Sequence, residues 1–529
     1  MPRSQPHPSA LFSLVPKNIR SQSVLEHPDN QPFLSYQKDG RLALDIGHIR
    51  SKAGHNTLAI LGRGDVDICI PGSTISKTQC SFEINPDTDV VMFFDRSHGR
   101  TSQVWGETCF PFEFGRPRKV VVQRGLNTIV GMGGRGQDQV LFELQWHNSP
   151  DKTMERIRER ITAPVLYEEN PRFARTIDEA NTILPSAMET RIHTPRSQQP
   201  KLRYAKIGNK LGAGQYGEVF KAVDVDSGIL MAVKILHRKA SPVSSVWKNV
   251  KREIEILSRI SHPNIIGYIS SNGWDSGGDV EILMELSKGN LASLIRQGYC
   301  VPLEELATTL FHDTLQAIDF LATEKIIHRD IKPENILFLP PGSQYTFQLG
   351  DFGLSNYQMS AKTMTGTPLY MAPEVFADKT QTSKIDVWSL YITMLWTLDV
   401  GGYRKASNYF ASHQAAVDFA VCQAPSFPTL REMAETDPEH RASAAQLLVK
   451  YFDGQGLSTP RAQVPPMTSH ARRISEGRTT QAPGMMAARP RTRGAIHRMK
   501  AMALRRHRRS GKNRPEGTMG DEDLVRVAA

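Results

Sequence analysis

His328-Arg329-Asp330-Ile331-Lys332-Pro333-Glu334-Asn335 is the stretch on which the reading of this chain turns. Any one of its polar residues is explained by an ordinary surface ion pair, so the weight falls on what surrounds it. Asp351-Phe352-Gly353 follows, and Ala372-Pro373-Glu374 comes after that. Upstream, Gly212-Ala213-Gly214-Gln215-Tyr216-Gly217-Glu218-Val219 precedes Ala232-Val233-Lys234 at the distance expected of two consecutive strands. Glu253 stands where Val250, Ile254 and Leu257 share one helical face, which directs the acid toward the strand carrying Lys234. A lone G-x-G-x-x-G is a weak signal, whereas this ordered set leaves chance little room.

Residues 204–453 therefore resemble the eukaryotic protein kinase family, which implies an α+β two-lobed fold and transfer of phosphate from ATP with Mg²⁺. The resemblance implies that Leu211, Gly212, Ala213, Gly214, Gln215, Tyr216, Gly217 and Val219 cover the nucleotide. Ala232, Met284 as gatekeeper, and Glu285 and Leu286 in the hinge complete its pocket. Lys234 is expected on the α and β phosphates and Glu253 as its ion-pair partner. Asp330 is expected to orient the acceptor hydroxyl, with Lys332 beside it, and Asn335 and Asp351 supply the oxygen ligands a hard cation requires. Lys332 and Gly366-Thr367-Pro368-Leu369-Tyr370 resemble serine/threonine kinases. Asp386 should brace the catalytic loop, and Arg441 should pair with Glu374. Thr363 and Thr365 are the expected activation-loop phosphosites, gripped through Arg329. Asn290 occupies the place where many basophilic kinases carry an acid, which argues against a strong preference for an upstream arginine. The competing reading is a phosphopeptide-binding scaffold whose kinase fold is silent.

At 529 residues the chain exceeds a single domain at roughly 150 residues each. Five cysteines, odd in number and without C-x-x-C spacing, predict buried free thiols in a reducing compartment and neither a disulfide framework nor a zinc site. No amino-terminal apolar core reads as a signal peptide, and the apolar stretch Val387 to Leu398 is too short to span a bilayer. The expectation is a soluble intracellular protein of the nucleus or cytoplasm, with no membrane partner.

Residues 1–39, rich in Ser, Pro, Gln and Asn, read as a disordered segment. From 40 to 147, short apolar runs (Leu42 to Ile46, Leu58 to Leu61, Ile68 to Ile70, Phe82 to Ile84, Val90 to Phe94, Val120 to Val122) alternate with turn residues, the pattern of an all-β sandwich. Leu61-Gly62-Arg63-Gly64, Ser76-Lys77-Thr78-Gln79-Cys80 and Asp95-Arg96-Ser97-His98-Gly99-Arg100-Thr101 make this region similar to a forkhead-associated (FHA) domain. The resemblance implies phosphothreonine binding by Arg63 and Ser76, with Arg100 as a second cation. Gln79 replaces the usual His, and Gly99-Arg100 replaces the usual Asn-Gly. A sandwich with another kind of protein contact is the alternative.

Residues 148–203 read as a linker holding one short helix near Met154 to Ile161, and 454–529 as a disordered basic tail. The net charge of +11 belongs largely to that tail, because Arg489 to Arg514 carries eleven Lys and Arg and no acid. Such a run suits a nuclear import receptor or a weak nucleic-acid contact, or is simply a solvated tail. An FHA-like module followed by a serine/threonine kinase resembles the checkpoint effector kinases of DNA-damage signalling. In them, phosphothreonine recognition recruits the enzyme to protein substrates.

Overall fold

A computed structural model of the chain describes residues 1–134, 136–162, 202–214, 217–238, 247, 250, 251, 254, 255, 257–274, 278–339, 344–351, 367–377 and 381–467. They form two compact units, the first Met1–His237 with Ser271–Leu286 and the second Arg238–Ser270 with the chain from Ser287 onward.

The first unit opens with an eleven-stranded sandwich. Its strands are β1 (Phe12–Pro16), β2 (Leu34–Tyr36), β3 (Leu42–Ile46), β4 (Thr57–Gly62), β5 (Ile68–Cys69), β6 (Cys80–Ile84), β7 (Val91–Asp95), β8 (Gln103–Trp105), β9 (Lys119–Val121), β10 (Ile129–Gly133) and β11 (Gln139–Trp146). One sheet runs β2-β3-β1-β11-β10-β8 and the other β5-β4-β6-β7-β9. Alternation along β11 sends Val140, Phe142 and Leu144 inward. Phe12 of one sheet meets Phe82 of the other at 5.1 Å between ring centroids, which places the core between the sheets.

The six apolar runs read from the sequence fall within or overlap β3, β4, β5, β6, β7 and β9. The expected disorder of residues 1–39 is corrected. β1 lies inside its sheet, paired with β11 from Phe12↔Trp146 to Pro16↔Phe142 and with β3 on its other side. Helix α1 (Ile19–Leu25) follows, started by a capping box between Asn18 and Ser21. The polar composition around β1 hid it, since the apolar Ala10 to Val15 run is short and its partners lie far along the chain. The cysteines need a similar correction: all five are free, but only Cys80 is buried, and Cys300 and Cys422 are exposed.

Helix α2 (Pro150–Thr162) confirms the short helix expected between the domains, but not a loose connection there. Its Met154 and Ile157 enter the sandwich core, and Arg156 donates to Pro8 O at 2.6 Å. Residues 163–201 lie outside the described residues.

The same unit continues into the antiparallel strands β12 (Tyr204–Gly214), β13 (Gly217–Asp224) and β14 (Leu230–Leu236). Strand β15 (Tyr268–Asn272) ends in this unit, and β16 (Val280–Glu285) lies beside β14.

The second unit is mainly helical. It comprises the small sheet β17 (Gly289–Asn290), β18 (Ile336–Leu339) and β19 (Thr346–Leu349), with α3 (Leu291–Gln297), α4 (Leu303–Thr323), α5 (Pro373–Phe376), α6 (Lys384–Thr397), α7 (Tyr403–Ala406), α8 (His413–Gln423) and α9 (Ala444–Phe452). Phe311, Leu315 and Ile318 of α4 are buried at the spacing the sequence showed. The apolar Val387 to Leu398 run is the buried core helix α6, and no described helix is long and apolar enough to cross a membrane.

Residues 454–467, expected to open a disordered tail, are ordered. Asp319 on α4, 1% exposed, accepts from Ser458 N at 2.7 Å, Thr459 N at 3.0 Å and Thr459 Oγ1 at 2.6 Å, so 454–467 is pinned to the helix. The basic run from Arg489 to Arg514 lies outside the described residues.

Candidate active site

In the first unit the strand register decides which side chains share a face, because directly opposed residues point the same way. Val219 opposes Lys234, Lys234 opposes Ile282, and Ala232 opposes Met284. Alternation puts Ala232 and Lys234 on one side of β14, so Val219, Ala232, Lys234 and Met284 form a single apolar face around one amine. β12 and β13 make the hairpin whose turn is the glycine-rich loop, with Gly212↔Val219, Ala213↔Glu218 and Gly214↔Gly217 in register. At Gly217 a Cβ would lie 1.9 Å from Ile235 O, so only glycine fits there. Leu211 is exposed at the mouth of the hairpin, and Glu285 and Leu286 end the unit. Gln215, Tyr216 and Glu253 lie outside the described residues.

In the second unit the loop between α4 and β18 is held by a buried acid. Asp386, fully buried near the start of α6, accepts His328 N and Arg329 N, both at 2.8 Å. Burial pushes its pKa up, while the two N–H bonds and the charge of Arg329 act the other way. These bonds hold Arg329 at φ +68, a left-handed conformation that costs a side-chain-bearing residue about 1 kcal/mol or more. His328 links the loop to the end of β19. Its Nδ1 accepts from Asp330 N at 3.4 Å, which leaves Nε2–H to donate to Gly350 O at 3.1 Å.

Asp330 is surrounded by donors. Lys332 Nζ lies 3.1 and 2.8 Å from its two carboxylate oxygens, and Asn335 Nδ2 donates to its Oδ2 at 2.7 Å and its main-chain O at 2.9 Å. Sequence reasoning missed this double duty of Asn335, because spacing alone cannot show which end of an amide is engaged. With nitrogen committed to Asp330, the carbonyl oxygen is the ligand atom Asn335 has to offer. Asp351, one residue beyond Gly350, is exposed and held at φ +55. Among the described residues no group of three or more His, Cys, Asp or Glu could hold a metal ion. A cation here would take two side-chain oxygens and complete its shell from phosphate and water, which is the habit of Mg²⁺.

The floor of this unit is locked by Arg441 and Glu374, and Asn290 serves α3 as its N-cap by accepting Ser293 N at 2.8 Å. Phe352, Gly353, Thr363, Thr365 and Gly366 lie outside the described residues.

The loops of the sandwich that carry Arg63, Ser76 and Arg100 are tied together. Arg63 N donates to Ser76 O at 3.1 Å, and a Cβ on Gly62 would sit 2.1 Å from Lys77 O. Gln79, fully buried, accepts Ser76 N at 2.9 Å and donates to Thr101 Oγ1 at 2.9 Å and Ser102 Oγ at 3.0 Å. Arg118 donates to Arg100 O at 3.0 Å, and the side chains of Arg63 and Arg100 stay exposed.

A hairpin with a glycine-rich turn and a loop that gathers Asp330, Lys332 and Asn335 define a phosphotransferase class. Residues 205–452 match the protein kinase domain family. Aurora kinase of Schizosaccharomyces pombe is 32% identical over 307 residues, covering 54% of this chain and 84% of that protein. Serine/threonine-protein kinase pakG of Dictyostelium discoideum is 28% identical over 279 residues, covering 49% of this chain and 22% of its own length. Serine/threonine-protein kinase STE20 of Saccharomyces cerevisiae is 28% identical over 275 residues, covering 47% and 27%. The chain belongs to the protein kinase family and is a protein serine/threonine kinase. That fold carries a general use of ATP with a divalent metal.

Proposed function

We propose that this kinase transfers the γ-phosphate of ATP to serine or threonine hydroxyls of protein substrates through the Asp330, Lys332 and Asn335 cluster. The observation that carries the reading is the convergence of Lys332 Nζ and Asn335 Nδ2 on the Asp330 carboxylate. Asp330 orients the acceptor hydroxyl and takes up its proton as the oxygen attacks. Lys332 balances charge on the transferred group, and Lys234 binds the α and β phosphates. Mg²⁺, when bound, neutralises charge on the phosphate oxygens, and Asn335 and Asp351 would hold it. Phosphorylation of Thr363 or Thr365, gripped through Arg329, activates the enzyme. Phosphosite mapping after incubation with ATP and Mg²⁺ tests the reading, with Asp351→Ala as control. If wild type and control incorporate equally little phosphate, the fold is a silent scaffold.

A second activity, phosphothreonine recognition by the sandwich, is favoured by two exposed arginines on loops that Gln79 and Arg118 brace. Arginine offers paired, charge-assisted bonds to phosphate. This would recruit the kinase to phosphorylated partners, in the manner of checkpoint effector kinases. Composition alone supports a nuclear role for the basic run. The full chain should bind a phosphothreonine peptide and not its unphosphorylated form; equal affinity for the two removes the reader role.

A further inference from the structure

The hairpin β12–β13 has two ends, and the sandwich grips the end away from the glycine-rich turn. On edge strand β9, Val121 N donates to Val225 O at 2.9 Å, and Val225 N donates in turn to Arg203 O at 2.9 Å. From the turn between β6 and β7, Asn85 Nδ2 reaches Ser227 O and Thr88 Oγ1 reaches Gly228 O, each at 2.9 Å. Gly228 is at φ +77, and a Cβ there would lie 2.8 Å from Met92 Sδ, so the two surfaces are in intimate contact.

Asp226 lies at the centre of this surface. Its carboxylate pairs with Arg116 at 2.9 Å and with Arg203, and Glu113 joins both arginines at 2.8 and 3.2 Å. The side chains of Arg116, Arg203 and Asp226 are no more than 12% exposed. Charges this far from water persist only when paired, so the arrangement specifies one docked geometry. Beneath it Ala205, Ile207, Val223 and Val225 join the core cluster of the sandwich. A tethered recruiting domain needs none of these contacts.

A paired hairpin transmits orientation along its length. From Val225 to Val219 the strand covers about 20 Å at ~3.3 Å per residue; β13 is paired with β14 without a break from Gly217↔Leu236 to Val223↔Leu230, whereas its pairing with β12 shifts register between Lys206 and Lys210 and again between Lys210 and Gly212. Holding the Asp226 end therefore restricts the tilt and twist of the loop end. We propose that Asp226 is a positioning residue for phosphotransfer: it anchors the hairpin to the sandwich and so sets where the glycine-rich loop lies on the nucleotide. The inference rests on the assignment of Gly212 to Gly217 as the nucleotide-covering loop.

The test is steady-state kinetics of the full chain against ATP. Asp226→Ala should raise KM for ATP about 5- to 10-fold with kcat changed by less than about twofold, the signature of lost nucleotide binding. Asp226→Glu, which keeps the charge, should recover most of the loss. Asn85→Ala with Thr88→Ala removes two contacts without exposing the ion pairs, and should raise KM by about 2- to 3-fold. If Asp226→Ala does not fold, this double variant decides. An unchanged KM for ATP in the folded variants overturns the proposal. Lys234→Ala separates the two failures: if it too leaves KM unchanged, the nucleotide-site assignment is wrong, whereas if it abolishes turnover, only the anchoring role falls.

Discussion

Arg441 and Glu374 meet as a bidentate ion pair from which water is excluded, with Nη1 on Oε1 at 2.5 Å, Nη2 on Oε2 at 2.9 Å and side chains 0% and 1% exposed. The arginine also donates to the main-chain oxygens of Glu435 and Lys384 at 2.8 and 3.0 Å and lies 5.1 Å above the Trp388 ring. It thereby joins the loop before α9 to the short helix α5 and the start of α6. Arg441→Ala leaves a buried carboxylate unpaired and should cost about 3–5 kcal/mol, read as a lower denaturation midpoint. Arg441→Lys should recover little, since an ammonium cannot make the paired bonds of the guanidinium.

Asn335→Asp should preserve an oxygen ligand yet remove the donor to Asp330. It places a second carboxylate at the position from which Asn335 Nδ2 now lies 2.7 Å from Asp330 Oδ2. Two like charges at that range cannot both ionise freely, so one proton is held to higher pH. The acidic limb of the kcat profile should move upward in pH and kcat should fall by about 10²-fold or more. An unshifted limb would mean that the Asn335 amide does not act on Asp330.

Gln79→Ala should uncouple the loops carrying Ser76 and Arg100. Ser76 N, Thr101 Oγ1 and Ser102 Oγ each lose their bond to Gln79, at a cost of about 1–3 kcal/mol. Phosphothreonine-peptide affinity of the full chain should fall with it, and should fall further in Arg63→Ala; calorimetric titration reads both.

Acid should weaken the sandwich through His48. Burial lowers its pKa to about 4, against a bond to Pro32 O that favours the proton. An unfolded His takes up a proton near ~6.5, so between that value and about 4 the unfolded chain binds more protons than the folded one. The stabilisation is present above the unfolded pKa and is lost as pH falls through this window. Thermal melts of the full chain from pH 7 down to 5 should show a falling first transition, and His48→Gln should flatten that slope.

That Asp330, Lys332 and Asn335 lie together was legible, because residues within a few positions of one another in a single loop stay close. The bonds of Asp386 to the loop and of Arg441 to Glu374 join residues 57 to 67 positions apart and were expected only from the family resemblance. The engagement of the Asn335 nitrogen was not legible, since it depends on how the loop closes on itself. The apolar runs of the sandwich announced all five strands of one sheet and β3 of the other, whereas β1 sat among polar residues and carried too few apolar positions to stand out.

What the linear order of residues determined by itself is the class of chemistry: a glycine-rich turn, a lysine on the next strand and a cluster of acid, amine and amide. What only the tertiary structure decided is which distant segments share a core. Phe12 pairs with Trp146, and Asp226 lies between Arg116 and Arg203, so the sandwich and the hairpin belong to one unit. Such pairings are selected by burial and by the satisfaction of charges across long loops, and these leave no periodic trace in the segments they join.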